Sequence, residues 1–81
     1  MIFIKESVNK FALVMERKLN KNIHKGHWGG CTKQYLMTRL SQEKKELSAA
    51  LKSGDEKLIA EEAADVANFA MMIAENFGDL K

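Results

Sequence analysis

The sequence contains no proline, and it has only one cysteine, one tryptophan and one tyrosine among its 81 residues. Because proline interrupts helices, its absence, together with an excess of helix-forming residues, predicts an all-helical chain. The single cysteine, Cys31, excludes an internal disulfide bond and is typical of a reducing compartment. The net charge of +2 is too small to indicate nucleic-acid binding, so we expect no nucleic acid as a partner.

Long apolar runs are also lacking. The first ten residues read MIFIKESVNK, and Lys5 and Glu6 end the apolar stretch after four residues. This pattern predicts neither a signal peptide nor a membrane span, so we expect a cytoplasmic location and no membrane partner. A content of 46% hydrophobic and 30% charged residues suits one folded domain covering residues 1–81.

Three segments show the helical periodicity of apolar residues. They run from about Lys5 to about Leu19, from about Thr32 to about Lys52, and from near Asp55 to near Phe77. Thr32 is a suitable N-cap for the second helix, and Gly78 stands where a C-terminal cap of the third belongs. The chain is therefore predicted to form three amphipathic helices.

The turn between the second and third segments is short, since only Ser53, Gly54 and Asp55 separate them. We expect these two helices to form an antiparallel hairpin, with the N-terminal helix packed on it as a helical bundle. The apolar stripe of the third helix is broad, and three helices packed together would leave part of their apolar surface exposed. A homodimer or homotetramer is therefore predicted to complete the bundle.

Four acidic residues occupy related positions on the two arms of this hairpin. Glu43 and Glu46 lie three residues apart and share a helix face, and so do Glu62 and Asp65. Each residue of one pair is as far from Gly54 as a residue of the other pair, so the carboxylates should converge. They interrupt two apolar stripes, which are made of Leu36, Leu40, Leu47 and Ala50 and of Leu58, Phe69 and Met72.

Partly buried carboxylates repel one another and need a compensating cation. No lysine or arginine lies on the inner line between the acids, and Arg39, one turn before Glu43, is the nearest candidate. A hard divalent cation suits an all-oxygen set of ligands, which indicates magnesium, with manganese as an alternative. A di-iron site would need histidines on these helices, and neither histidine lies there. The competing interpretation is an ordinary solvated helix surface.

The segment Glu43-Lys-Lys-Glu46, followed after fifteen residues by Glu62-Ala-Ala-Asp65, resembles the ExxE…ExxD signature of the MazG-like nucleoside triphosphate pyrophosphohydrolases. The resemblance extends from about Trp28 to about Asn76. It implies an all-α fold and magnesium-dependent hydrolysis of (deoxy)nucleoside triphosphates to a monophosphate and pyrophosphate. It also implies that Glu43, Glu46, Glu62 and Asp65 are metal ligands, and that the protein is an oligomer.

One position departs from the family pattern. Many members carry an acid immediately before the first glutamate, and here Gln42 stands there. The resemblance therefore does not assign the general base, and Glu43 and Glu46 are the two candidates for this catalytic role.

Three further residues are candidates for binding the nucleotide. Asn68 follows Asp65 by three residues and can reach a ribose, Trp28 can stack on a base, and Lys25 can reach phosphates. Each also has a structural interpretation, respectively a local hydrogen bond, the closure of one end of the bundle, and a solvated surface. The alternative function is a non-catalytic, dimerising helical adaptor of the same fold, which would have no need of four converging carboxylates.

Overall fold

The computed structural model describes residues 3–22 and 26–80. These residues form three α-helices and no strands: α1 (Glu6–Lys21), α2 (Lys33–Ser53) and α3 (Glu56–Phe77). Their bounds lie within two residues of those expected from apolar periodicity, so the all-helical prediction is confirmed.

The starts of α2 and α3 are determined locally by capping side chains. The Thr32 hydroxyl accepts a hydrogen bond from the backbone N–H of Tyr35 at 3.1 Å, as expected for an N-cap. The Asp55 carboxylate accepts one from the backbone N–H of Leu58 at 3.2 Å. Between the helices, Gly54 has a φ of 73°, a left-handed conformation that glycine adopts without strain and that ends α2.

Gly78 follows the last residue of α3, and its backbone N–H donates to the carbonyl of Ala74 at 2.9 Å. Its φ of −110° is not left-handed, so backbone conformation does not explain the glycine. Lack of space explains it, because a Cβ atom at this position would lie 2.8 Å from the carbonyl oxygen of Ala74.

Helix α3 packs against both other helices. Within the described residues, α3 contacts α1 and α2, whereas α1 and α2 make no close backbone contact with each other. A cleft therefore separates α1 from α2, with α3 along its floor. Among the described residues, the buried apolar core is small and consists of Leu36, Ala50, Ala64 and Met72.

Much apolar surface remains exposed on and near α1. This helix has no fully buried residue, and Phe3, Ile4, Val8 and Leu13 are all more than half exposed. An apolar groove runs along the same helix, lined by Ser7, Val8, Phe11, Ala12 and Met15. None of the helices described is both long enough and apolar enough to cross a membrane.

Candidate metal centre and adjoining cleft

Three of the four predicted metal ligands lie together. Glu43 on α2 and Glu62 and Asp65 on α3 each offer one carboxylate oxygen, and these oxygens lie within 4.8 Å of one another. Glu46 is exposed and stands outside this group of three. Its carboxyl is nevertheless close enough for its charge to raise the pKa of both Glu43 and Glu62. Glu46 therefore lies at the solvent edge of the cluster.

Burial makes this cluster unlike an ordinary charged surface. Glu43 is only 6% exposed, and on α2 the apolar residues Leu36 and Ala50 are buried with it. Glu43 Oε2 and Glu62 Oε2 are buried without any hydrogen-bond partner. A buried carboxylate oxygen without a partner is costly. An all-oxygen set with two such oxygens has the chemistry that magnesium and manganese require of their ligands.

The pKa values of two glutamates reflect this environment. Burial, followed by the neighbouring carboxyl groups of Glu46 and Asp65, raises the pKa of Glu43 to about 7, although Arg39 opposes the shift. Burial also raises the pKa of Glu62, and again Asp65 and Glu46 contribute. Without a divalent cation, the cluster therefore tends to retain a proton near neutral pH.

Arg39 partly compensates the acids, as its position in the sequence indicated. Its Nη2 donates to Glu43 Oε1 at 2.7 Å, and its Nη1 donates to the side-chain oxygen of Gln42. The guanidinium also lies over the ring of Phe69, with 5.0 Å from Cζ to the ring centroid. Arg39 is thus held by three neighbours at once.

Lys18 is a second compensating cation, which the sequence analysis missed. Its Nζ on α1 lies 3.3 Å from Asp65 Oδ2, and the two side chains are only 16% and 19% exposed. The sequence contained one signal for it. Lys18 follows Met15 by three residues and Phe11 by seven, so it interrupts the apolar stripe of α1 much as the acids interrupt theirs.

The cleft beside the cluster has a volume of about 710 Å³ and is lined by both charged and aromatic residues. Its charged lining residues are Glu16, Lys18, Arg39, Glu43 and Asp65. Aromatic rings, among them His27, Trp28 and Phe69, also line it. The rings of His27 and Trp28 stack with centroids 4.2 Å apart. The cleft therefore combines charged and aromatic side chains.

Two of the three predicted nucleotide-binding residues lie at the cleft. Trp28 and Asn68 line the cleft together with Glu43 and Asp65. Trp28 is tied to α3 by its backbone carbonyl, which accepts from Asn76 Nδ2 at 2.9 Å, whereas its buried Nε1 has no partner. Lys25 lies outside the described residues.

Two other lysines that flank the loop lie away from the cleft lining. Lys21 pairs with Glu61 at 3.7 Å, and Lys33 lies over the ring of Phe77 at 5.4 Å. Neither lines the cleft. Among the described lysines and arginines, Lys18 and Arg39 are the ones that line the cleft beside the cluster.

No protein-family model, curated protein or solved structure matches the chain. No relative therefore supplies a function for this chain.

Proposed function

We propose that this chain is a magnesium-dependent pyrophosphohydrolase of the MazG-like kind, which hydrolyses (deoxy)nucleoside triphosphates to a monophosphate and pyrophosphate. The observation that carries the proposal is a group of three carboxylates from two helices, two of which, Glu43 and Asp65, line a cleft large enough for a nucleotide. In this proposal α2 and α3 form an antiparallel hairpin, and a homodimer or homotetramer completes the bundle.

Glu43, Glu62 and Asp65 would hold the divalent cation, with Glu46 joining them from the solvent edge. Two of these carboxylates have a buried oxygen without a partner, which supports such a role. Magnesium, or manganese in its place, would neutralise phosphate charge and polarise the phosphorus under attack. Phosphoryl transfer needs mainly this neutralisation and the correct positioning of the reactants.

A carboxylate of the chain would then accept a proton from the attacking water. The water oxygen attacks the α-phosphorus, the bond from that phosphorus to the α–β bridging oxygen breaks, and pyrophosphate leaves. Glu43 and Glu46 are the two candidates for the base that accepts this proton. Burial and the neighbouring acids raise the pKa of Glu43, and a bound cation would lower it.

The remainder of the cleft would bind the nucleoside. Trp28 offers a ring on which a base can stack, and the unpartnered Oδ1 of Asn68 can accept a hydrogen bond from a sugar hydroxyl. The volume of about 710 Å³ lies within the range of sites for ligands of nucleotide size.

The proposal is tested by incubating the purified protein with canonical and modified nucleoside triphosphates and Mg²⁺. We expect pyrophosphate and the monophosphate in equal amounts, and none of either when EDTA replaces Mg²⁺. Release of inorganic phosphate and a diphosphate would indicate a different phosphohydrolase. The absence of all products, together with no binding of Mg²⁺ or Mn²⁺ in calorimetry, would favour the non-catalytic adaptor.

A further inference from the structure

We propose that Lys18 exchanges partners when the site is loaded. In the cation-free chain it neutralises Asp65, and it binds the phosphates of the substrate once a divalent cation holds Asp65. This inference rests on the proposed function and adds to it a residue from α1, outside the paired acidic motif.

The position of Lys18 makes an exchange feasible. Among the described residues, the ion pair with Asp65 is the one polar contact of its side chain, and its length of 3.3 Å is not that of a tight ion pair. The side chain lines the cleft together with Glu43 and Asp65, and it belongs to the opposite wall from α2. A small rotation of its flexible stem is enough to move the ammonium group along the cleft.

Two residues that line the cleft each have a buried polar atom without a partner among the described residues. Glu43 is 6% exposed and has an unpartnered Oε2, and Asn68 is 4% exposed and has an unpartnered Oδ1. Both residues line the cleft. Buried acceptors of this kind are normally satisfied, and a cation, a bound proton or a donor from outside the chain can satisfy them here.

A divalent cation competes directly with Lys18. Both require the carboxylate oxygens of Asp65, and a divalent charge on that carboxylate repels the ammonium group. The displaced ammonium stays tethered to α1 beside the cleft, where the phosphate chain of the substrate carries several negative charges. Lys18 would therefore weaken cation binding in the absence of substrate and strengthen substrate binding in the presence of the cation.

Arg39 is not expected to behave in the same way. Its guanidinium is held by Gln42, by Glu43 and by the ring of Phe69, so moving it breaks three contacts. We expect Arg39 to remain on Glu43 and to hold that carboxylate in position.

The experiment compares Lys18→Met with a matched control, Lys21→Met. Lys21 lies three residues further along α1 and also pairs with an acid, Glu61, which is outside the cluster. Affinity for Mn²⁺ alone is measured by calorimetry, and affinity for inorganic pyrophosphate is measured at saturating Mg²⁺. Lys18→Arg retains the charge, Lys18→Gln serves as a second neutral variant, and circular dichroism verifies the fold of each.

We expect Lys18→Met and Lys18→Gln to bind Mn²⁺ about threefold to fivefold more tightly than the unaltered protein, because a competing partly exposed ion pair is lost. They should bind pyrophosphate about tenfold more weakly, the loss typical of a charge-assisted hydrogen bond. Lys18→Arg and Lys21→Met should remain near the unaltered protein in both measurements.

A lysine with only a structural role would not strengthen Mn²⁺ binding and weaken pyrophosphate binding when it is replaced. Unchanged or weaker Mn²⁺ affinity in both neutral variants would overturn the exchange while leaving the proposed function intact. No binding of Mn²⁺ by the unaltered protein would overturn the proposed function and this inference together.

Discussion

Asn68 on α3 donates a hydrogen bond from its side-chain Nδ2 to the backbone carbonyl of Met15 on α1, at 3.1 Å. Because a carbonyl oxygen can only accept, the orientation of the amide is determined by this contact. The other amide atom, Oδ1, is buried without a partner at a residue that lines the cleft. One side chain therefore joins two helices and also keeps a single buried acceptor without a partner.

Asn68→Ala should lower the free energy of unfolding by about 1–3 kcal/mol, because the Met15 carbonyl loses its donor and a buried contact is removed. Asn68→Asp should lower it further, since a carboxylate in place of the amide nitrogen would face the carbonyl oxygen. Urea denaturation followed by circular dichroism measures both. Asn9→Ala, at an exposed position on α1, is the control and should stay within about 0.5 kcal/mol.

Glu62→Gln should abolish hydrolysis but leave the metal-free protein at least as stable as before. The substitution removes a proposed metal ligand and also one of several crowded like charges, and the pKa of Glu62 is already raised by its burial. Pyrophosphate release and thermal unfolding in EDTA measure the two effects. Glu61→Gln alters the neighbouring acid, which pairs with Lys21, and should keep its activity.

Asp65→Asn should abolish hydrolysis as well, but with a smaller gain in stability, because it also removes the partner of Lys18. Turnover at the level of the unaltered protein in either variant would contradict the metal assignment. A large loss of stability in EDTA for Glu62→Gln would instead indicate a purely structural role for this carboxyl group.

The stability of the metal-free protein should fall as pH rises from about 4.5 to about 7. Burial is the main cause that raises the pKa of Glu43 from 4.5 to about 7 in the folded chain, so the folded chain binds more protons than the unfolded chain in this window. The stabilisation is therefore complete below the window and is lost above it. Thermal unfolding in EDTA across this range should show the decline, and Glu43→Gln should reduce it. An equal decline in both proteins would contradict the assignment to Glu43.

Trp28→Ala should raise KM severalfold with a smaller effect on kcat. Stacking of a base on an aromatic ring contributes roughly 1–3 kcal/mol in other systems, and it acts on the ground state and the transition state alike. Trp28→Phe keeps an aromatic face and should recover most of the affinity. Nucleotide addition should also change the fluorescence of this single tryptophan. Unchanged emission and an unchanged KM in Trp28→Ala would leave Trp28 as a packing residue.

The protein should sediment as a homodimer or homotetramer at micromolar concentration. The sequence attributed the surplus apolar surface to α3, but among the described residues the most exposed large apolar side chains are Phe3 and Leu13, on and near α1, which are 85% and 71% exposed. Sedimentation velocity of the unaltered protein and of Leu13→Glu tests whether this face is covered. A stable, folded monomer of the unaltered protein would contradict the expectation.

The sequence by itself determined the helices and their starts. The apolar spacing of 3.6 residues, the Thr32 and Asp55 caps and the Gly54 turn all act within a few residues, so they can be recognised without knowing the fold. The same locality explains why the carboxylates of each pair share one helix face. The burial of Glu43 could be anticipated as well, because its neighbours on that face are apolar.

Only the tertiary structure decided which distant residues meet. Asn68 and Met15 are 53 positions apart, and no local rule specifies where along α3 the first helix packs. The pairing of Lys18 with Asp65 depends on that packing, and so does the cleft that opens because α1 and α2 do not touch. The same reason applies to Glu46. Its spacing places it on the correct face of α2, but the packing of α2 on α3 brings only Glu43 of that pair into the buried group with Glu62 and Asp65.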